Sequence, residues 1–124
     1  MKAINTDKAP AAIGPYSQAV RHGDLLFVSG QLPIDPATGM FVEGGAVEQA
    51  RQCLKNIAAI AEEAGVDLTK TIKTTVLLTD LSGFAAVNEE YGKAFAEPFP
   101  ARACYEVSAL PKGAMVEVEA VIAL

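Results

Sequence analysis

The chain has 124 residues, with 15 acidic and 10 basic side chains and a net charge of −5 at neutral pH. This acidic balance, with no basic cluster, argues against nucleic-acid binding, which neutralises phosphates with lysine and arginine. A hydrophobic content of 51% excludes a disordered chain, and the length suits one domain, residues 1–124. No apolar run approaches the roughly 20 residues of a membrane span, and the first residues lack a secretory signal, so we expect a cytoplasmic protein.

Cysteine and histidine are too sparse to predict a metal site. Cys53 and Cys104 lie far apart, and His22 is the only histidine. No spacing typical of a zinc site is present, so we expect two free thiols and no metal. His22 stands in a His-Gly-Asp turn between two strand-like runs, and turn chemistry explains it without a catalytic triad.

The first third of the chain predicts strands rather than helices. After an irregular lead-in over residues 9–15, apolar runs at 16–20 and 25–29 flank the His22 turn and indicate a hairpin. A loop follows at 30–39, and residues 40–42 suggest one more short strand.

Two helices are predicted, with a strand between them. Residues 47–64 place apolar side chains at the helical period. Residues 71–79 are rich in β-branched side chains and indicate a strand. A second helix is expected over 83–96, capped by Asp80 or Ser82. Its inward-facing positions are Phe84, Val87, Tyr91 and Phe95.

The last quarter of the chain carries the most informative charges. Two strand-like runs, within 100–107 and 115–121, are joined by a turn containing proline and glycine. The first holds a lone arginine, Arg102, among small and apolar neighbours, and the second alternates carboxylates with valines. Arginine stays charged at any working pH and fits a carboxylate through two parallel hydrogen bonds. The partner of Arg102 is either a structural glutamate (Glu106, Glu117 or Glu119) or a small anionic substrate.

The element order predicts an α+β fold, a mixed β-sheet with two helices packed on one face. Two helices cover only one face of a sheet. The apolar strand residues Val76, Leu78, Val116 and Val118 therefore suggest that the second face is hidden as well. Contact between copies of the chain is the economical way to hide it.

Three separated motifs resemble the RidA/YjgF family: residues 11–18, residues 28–33, and residues 100–107 with Glu117 downstream. The resemblance runs from about residue 9 to residue 124. It is strongest to the RidA subgroup, in which an arginine and a cysteine stand at the positions of Arg102 and Cys104. It implies a chorismate-mutase-like fold assembled as a homotrimer, with clefts between the subunits. The implied reaction is hydrolysis of 2-imino acids, such as 2-iminobutanoate and 2-iminopropanoate, to 2-keto acids and ammonia, without a cofactor.

The resemblance also implies roles for three catalytic residues. Arg102 would clamp the substrate carboxylate, and Glu117 would position the attacking water and accept its proton. The backbone carbonyl of Cys104 would help to hold that water, while its side chain shapes the pocket. We do not expect Cys104 to act as a nucleophile. Alternation with valines would equally make Glu117 a solvent-facing residue, and Glu119 shares its parity.

Substrate-binding residues are implied on three other segments. Tyr16, Ser29 and Gly30 match family positions that line the cleft, and Phe84 and Asn88 match positions that border it. An asparagine four residues after a phenylalanine lies on the same helix face. Ordinary packing would explain Tyr16, Ser29, Phe84 and Asn88 as well. The sequence departs from the usual family pattern at Ala103, at Tyr105 and in the short loop 96–99, which leaves the preferred substrate side chain open.

Two other functions use the same residues. A non-enzymatic module that binds 2-keto or amino acids would also need Arg102. An endoribonuclease or translation inhibitor, a role attached to some family relatives, is disfavoured by the acidic charge and the single turn-placed histidine.

Overall fold

The architecture is a six-stranded mixed sheet with two helices on one face, as predicted from the sequence. The computed structural model describes residues 1–124. The strands are β1 Lys2–Ile4, β2 Ala19–His22, β3 Leu25–Gln31, β4 Ile34–Asp35, β5 Met40–Phe41, β6 Thr71–Leu78, β7 Ala101–Glu106 and β8 Val116–Ala123. The helices are α1 Ala46–Glu63 and α2 Phe84–Gly92. The main sheet has the order β1-β2-β3-β8-β6-β7, and β4 and β5 form a separate two-stranded ribbon.

Helix α1 covers the centre of the sheet. It begins where the Glu48 carboxylate accepts a hydrogen bond from the backbone N–H of Gly45, which satisfies one free donor at the helix start. Its apolar stripe, with Cys53, Leu54, Ile57 and Ile60, is buried and packs on β3 and β8. The predicted helix at 47–64 is therefore confirmed to within one residue at each end.

Helix α2 connects β6 to the parallel strand β7. The Asp80 side chain accepts a hydrogen bond from Ser82 N–H and caps a 3₁₀ turn, Leu81–Gly83, that leads into the helix. The helix ends at Gly92, four residues before the predicted end, because glycine is a poor helix former and the chain must return to the start of β7. Neither α2 nor α1 combines the length and the apolar character needed to span a bilayer.

The two faces of the sheet differ in what covers them. Val76, Leu78, Val116 and Val118 are buried, and all four point toward the helices. They do not form the second apolar face that they suggested from sequence. That face is instead apolar through Phe27, Leu77, Tyr105 and Val121, of which Phe27 and Tyr105 are about half exposed.

The N-terminal segment differs most from the prediction. The strand expected at 16–20 begins only at Ala19, and the unpredicted strand β1 pairs with β2 along the sheet edge. The buried side chain of Gln18 holds the intervening segment. Its carbonyl oxygen accepts a hydrogen bond from Thr6 N–H, and its amide nitrogen donates to the backbone oxygens of Thr6, Ala9 and Pro10.

Replacing Gln18 with methionine is expected to lower the free energy of unfolding by about 2–3 kcal/mol, because it leaves several buried backbone groups without partners. Urea unfolding measures this loss. Gln31→Met is the matched control, since Gln31 is also buried but makes one side-chain hydrogen bond, to Ser29. Equal losses in the two variants would contradict an anchoring role for Gln18.

Candidate active site

Arg102 is held in place by helix α2. Its register opposite Thr74 of β6 puts it on the helix-covered face of the sheet. The Arg102 Nη1 group donates a hydrogen bond of 2.6 Å to Asn88 Oδ1. The centre of the guanidinium lies 4.8 Å from the ring centroid of Tyr91 and 5.5 Å from that of Phe84, both within the range of cation–π attraction.

No carboxylate pairs with Arg102. The ion pairs in the structure join Lys8 to Glu62 and Glu90 to both Arg51 and Lys93. Glu106, the nearest acidic residue along the strand, accepts a hydrogen bond from the backbone N–H of Leu81 instead. Within one copy of the chain, therefore, Arg102 does not form the structural ion pair that the sequence left open. The guanidinium lines a cavity of about 380 Å³ that also includes Asn88, Tyr91, Phe99 and Pro100.

Cys104 shares the face of Arg102 and packs partly against the core. Burial raises the pKa of the Cys104 thiol, and the opposing effect of the Arg102 charge is the smaller of the two. A thiol with a raised pKa stays protonated near neutral pH, and a protonated thiol is a weak nucleophile. This environment supports the expectation that Cys104 does not attack the substrate.

Glu117 lies on the opposite face of the sheet. It pairs with Leu77 of β6, whose side chain points away from the helices. Burial raises the pKa of the Glu117 carboxyl, and the neighbouring Glu119 charge raises it further. A carboxyl with a raised pKa is a better proton acceptor at neutral pH than an ordinary glutamate.

Gly30 makes room for the Glu117 side chain. The β3–β8 ladder shifts between Val28 and Gln31, and Gly30 lies in this irregularity. A Cβ atom at residue 30 would lie 2.8 Å from Glu117 Oε2, closer than real Cβ contacts. The absence of a side chain at Gly30 therefore lets the carboxylate lie against the backbone of β3.

Tyr16 and Ser29 line the same cavity as Gly30 and Glu117, which measures about 590 Å³. The Tyr16 hydroxyl accepts a hydrogen bond from Ile13 N–H, and its side chain lies in a loop rather than in the predicted strand. The Ser29 hydroxyl donates a 2.6 Å hydrogen bond to the backbone oxygen of Ser17, so only its lone pairs remain for a ligand.

The predicted site residues therefore form two groups. Arg102, Cys104, Phe84 and Asn88 lie on the helix-covered side of the sheet, and we call them the arginine half-site. Tyr16, Ser29, Gly30 and Glu117 lie on the other side, and we call them the glutamate half-site. Within one chain the sheet separates the two half-sites, so a single ligand cannot contact both in the same copy.

Sequence reasoning missed several residues of these cavities. Tyr91 was predicted to face inward but not to contact Arg102, although its spacing of three residues from Asn88 put both on one helix face. Phe99 and Pro100 border the Arg102 cavity, and Lys112 borders the Glu117 cavity. Lys112 has a φ of 59°, the one positive value at a non-glycine residue, and no sequence signal distinguished it.

The chemistry available to the two half-sites is electrostatic and acid–base. The arginine half-site offers a fixed cation for a small anion, and the glutamate half-site offers a partly buried carboxylate. No group of three or more histidine, cysteine, aspartate or glutamate side chains converges as the ligands of a metal ion would.

Comparisons with known proteins place these features in context. A family model described as Endoribonuclease L-PSP matches residues 6–124. RutC family protein y4sK of Sinorhizobium fredii is 69% identical over 121 residues, which cover 98% of this chain and 96% of that protein. The 2-iminobutanoate/2-iminopropanoate deaminase of Capra hircus is 56% identical over 118 residues, which cover 95% of this chain and 86% of that protein. The crystal structure of RidA from an Antarctic Psychrobacter matches over the full length of both chains, with a TM-score of 0.96 and 49% identity.

Because the pKa of Glu117 is raised, replacing this residue with glutamine is expected to stabilise the folded protein by an amount that depends on pH. The folded state binds this proton more tightly than the unfolded state. The stability from this group is therefore full below the unfolded pKa of about 4.3 and is lost as the pH rises through the folded pKa. Glu117→Gln removes that loss, so its free energy of unfolding relative to the wild type should increase from about pH 4 to about pH 8.

Urea unfolding across this pH range, at one protein concentration, tests the prediction. Glu63→Gln gives the baseline for losing one acidic charge from an exposed position. A Glu117→Gln curve that runs parallel to this baseline would show that burial of Glu117 has no effect on its proton affinity.

Proposed function

The chain belongs to the RidA/YjgF family, and from this membership we propose that it hydrolyses reactive 2-imino acids to 2-keto acids and ammonia. The proposed substrates are small, such as 2-iminobutanoate and 2-iminopropanoate. Relatives that carry the name 2-iminobutanoate/2-iminopropanoate deaminase include the protein of Capra hircus at 56% identity.

The observation that carries this proposal is the unpaired guanidinium of Arg102. It is ordered by Asn88 and by two aromatic rings, it faces a cavity, and no carboxylate of the same copy pairs with it. A 2-imino acid supplies the missing carboxylate, which the planar guanidinium binds through two parallel hydrogen bonds. Binding of the carboxylate by Arg102 would hold the substrate in one orientation, with its imine carbon close to the guanidinium.

We place the complete site between two copies of the chain. The arginine half-site of one copy would meet the glutamate half-site of the next, because the sheet keeps them apart within one copy. The exposed apolar residues Phe27 and Tyr105 on the uncovered sheet face support burial of that face against other copies. We propose a homotrimer, the assembly that the family resemblance implies, and light scattering at micromolar concentration measures it.

In the proposed reaction a water oxygen attacks the carbon of the protonated imine. A C–O bond forms, the C=N π electrons move to nitrogen, and Glu117 accepts the proton that the water loses. Protonated Glu117 then returns this proton to the nitrogen of the resulting carbinolamine. The C–N bond breaks with its electrons on nitrogen and ammonia leaves, while the hydroxyl group loses its proton to the Glu117 carboxylate as the C=O bond forms. Glu117 finally releases that proton to the departing ammonia, which restores the carboxylate. The carboxylate of Glu117 also stabilises the cationic imine before the attack, and the backbone carbonyl of Cys104 is proposed to help hold the water.

Coupling the protein to a threonine dehydratase tests the activity directly, because that enzyme releases the enamine from which 2-iminobutanoate forms. Semicarbazide traps the free imine, so an active protein should lower the rate of semicarbazone formation and speed the appearance of the keto acid. A pure binding module would hold at most one imine per site and would not turn over. The endoribonuclease activity that the family model's description names is a separate outcome, read from RNA cleavage in the same preparation.

Four single variants separate the proposed roles. Arg102→Lys keeps the charge but loses the planar fork, and we expect imine hydrolysis to fall at least about 100-fold. Glu117→Gln should lose about 10²–10⁴-fold, since it removes the proton acceptor. Cys104→Ala keeps the backbone carbonyl and should stay within about tenfold of the wild type. Glu119→Gln, on the same strand face as Glu117, is the matched control and should stay close to the wild type.

The measurement is the hydrolysis rate above the uncatalysed background, with folding checked by circular dichroism. Normal turnover in a folded Arg102→Lys protein would make Arg102 structural. Loss of all activity in Cys104→Ala, with activity surviving in Glu117→Gln, would favour a covalent thiol adduct over direct attack by water.

Mixing two inactive variants tests the site between copies. When Arg102→Lys and Glu117→Gln proteins are unfolded and refolded together in equal amounts, some clefts pair an intact arginine half-site with an intact glutamate half-site. Random assembly makes about a quarter of the clefts intact, so we expect about a quarter of wild-type activity. The double variant Arg102→Lys/Glu117→Gln, mixed with wild type in the same way, controls for refolding. No recovery in the mixture of single variants, with recovery in the control, would place both residues in the same copy.

A further inference from the structure

A further cavity, separate from both half-sites, lies between the two helices. It measures about 190 Å³ and is open to solvent. Its floor is apolar and is formed by Leu54, Ala58, Leu68 and Ala94. Its rim carries three cations, Arg51 and Lys55 from α1 and Lys93 from the end of α2. We call it the interhelical groove.

Glu90 fixes the orientation of Arg51 in this groove. The Arg51 Nε and Nη2 groups each donate a 3.1 Å hydrogen bond to a different oxygen of the Glu90 carboxylate. The Glu90 side chain is only 10% exposed, whereas that of Arg51 is 52% exposed. One edge of the guanidinium is therefore bound, and the outer edge, formed by Nη1 and Nη2, makes no further hydrogen bond to the protein. A guanidinium held in this way presents two ready donors to a second carboxylate.

The groove has an excess of positive charge. Three cations line it against the single carboxylate of Glu90, which Lys93 also contacts at 3.4 Å. Lys55 lies one helical turn after Arg51 and takes part in no ion pair. Glu48, which lies one turn before Arg51, does not line the groove, although its negative charge also acts on Arg51. This local excess stands out in a chain whose net charge is −5.

We propose that the interhelical groove binds a small aliphatic monocarboxylate. The carboxylate would bind the outer edge of Arg51 and the ammonium of Lys55, and the hydrocarbon chain would cover Ala58, Leu68 and Ala94. A volume of 190 Å³ corresponds to roughly six water molecules at about 30 Å³ each, which suits a chain of about four to six carbons. The site is independent of the proposed reaction, because Asn88 and Tyr91 direct the other side of α2 toward Arg102.

Titration of ¹⁵N-labelled protein with hexanoate, followed by NMR, tests the proposal. We expect saturable shifts of the amide signals of Ala58, Leu68 and Ala94. Acetate should bind more weakly because it lacks the hydrocarbon chain, and hexylamine should give no shifts because it carries the wrong charge. Equal shifts with hexylamine would overturn the proposal in favour of nonspecific apolar contact.

Two variants remove the charges without leaving a buried charge unpaired. Lys55→Gln removes the free ammonium, and Arg51→Gln/Glu90→Gln replaces the ion pair with two amides that can still bond to each other. We expect the dissociation constant for hexanoate to rise at least about tenfold in the double-substituted protein and by a smaller factor in Lys55→Gln. Lys2→Gln, on the distant strand β1, is the charge-matched control and should bind as the wild type does.

The Arg102→Lys variant distinguishes binding of hexanoate in the interhelical groove from binding at the arginine half-site. Its hexanoate affinity, read from Ala58 and Ala94, should equal that of the wild type. Hexanoate shifts confined to Asn88 and Arg102, or an unchanged affinity when Arg51 and Glu90 are both replaced, would show that the groove is not a carboxylate site.

Discussion

The pairing of β6 with its two neighbours determines on which side of the sheet Arg102 and Glu117, the two charged residues of the proposed site, lie. Its parallel register with β7 aligns Thr74 with Arg102, and its antiparallel register with β8 aligns Leu77 with Glu117. Since successive residues of a strand point to opposite faces, an odd separation between Thr74 and Leu77 puts the two charges on opposite sides. A slip of one residue in either ladder would put the two charges on the same side of the sheet, and a slip in the β6–β8 ladder would also turn Glu117 and Glu119 into the core.

Helix α2 stabilises both cationic regions described above, through different faces. Asn88, Tyr91 and Phe84 hold the guanidinium of Arg102 on one face, while Glu90 holds that of Arg51 on another. The Tyr91 ring is fixed in turn by a 2.6 Å hydrogen bond between its hydroxyl and that of Thr74. The two arginines differ in their partners. Arg102 contacts an amide and two aromatic rings, none of which is charged, whereas Arg51 is paired with the carboxylate of Glu90.

Local sequence patterns predicted most of the helices and strands. They did not predict the order of the strands in the sheet or which face of the sheet the helices cover. The apolar spacing of α1 predicted that helix closely, and the β-branched residues of 71–79 predicted β6 to within one residue. Which face meets the helices depends on the order β8-β6-β7, and no local pattern encodes that order. The valines of β8 were therefore assigned to the wrong face. Gln18 was missed because a buried glutamine whose amide holds a loop has the same local signature as an exposed one.

The separation of the two half-sites by the sheet has a topological consequence for the proposed assembly. Half-sites that face in opposite directions join copies head to tail, so the contact is heterologous rather than self-complementary. An open string of copies then contains one cleft fewer than it has copies and leaves an unmatched half-site at each end. A closed ring leaves none unmatched. In the proposed assembly, therefore, every half-site is matched only when the ring is closed. Dilution that opens the rings would lower the specific activity even though each chain stays folded.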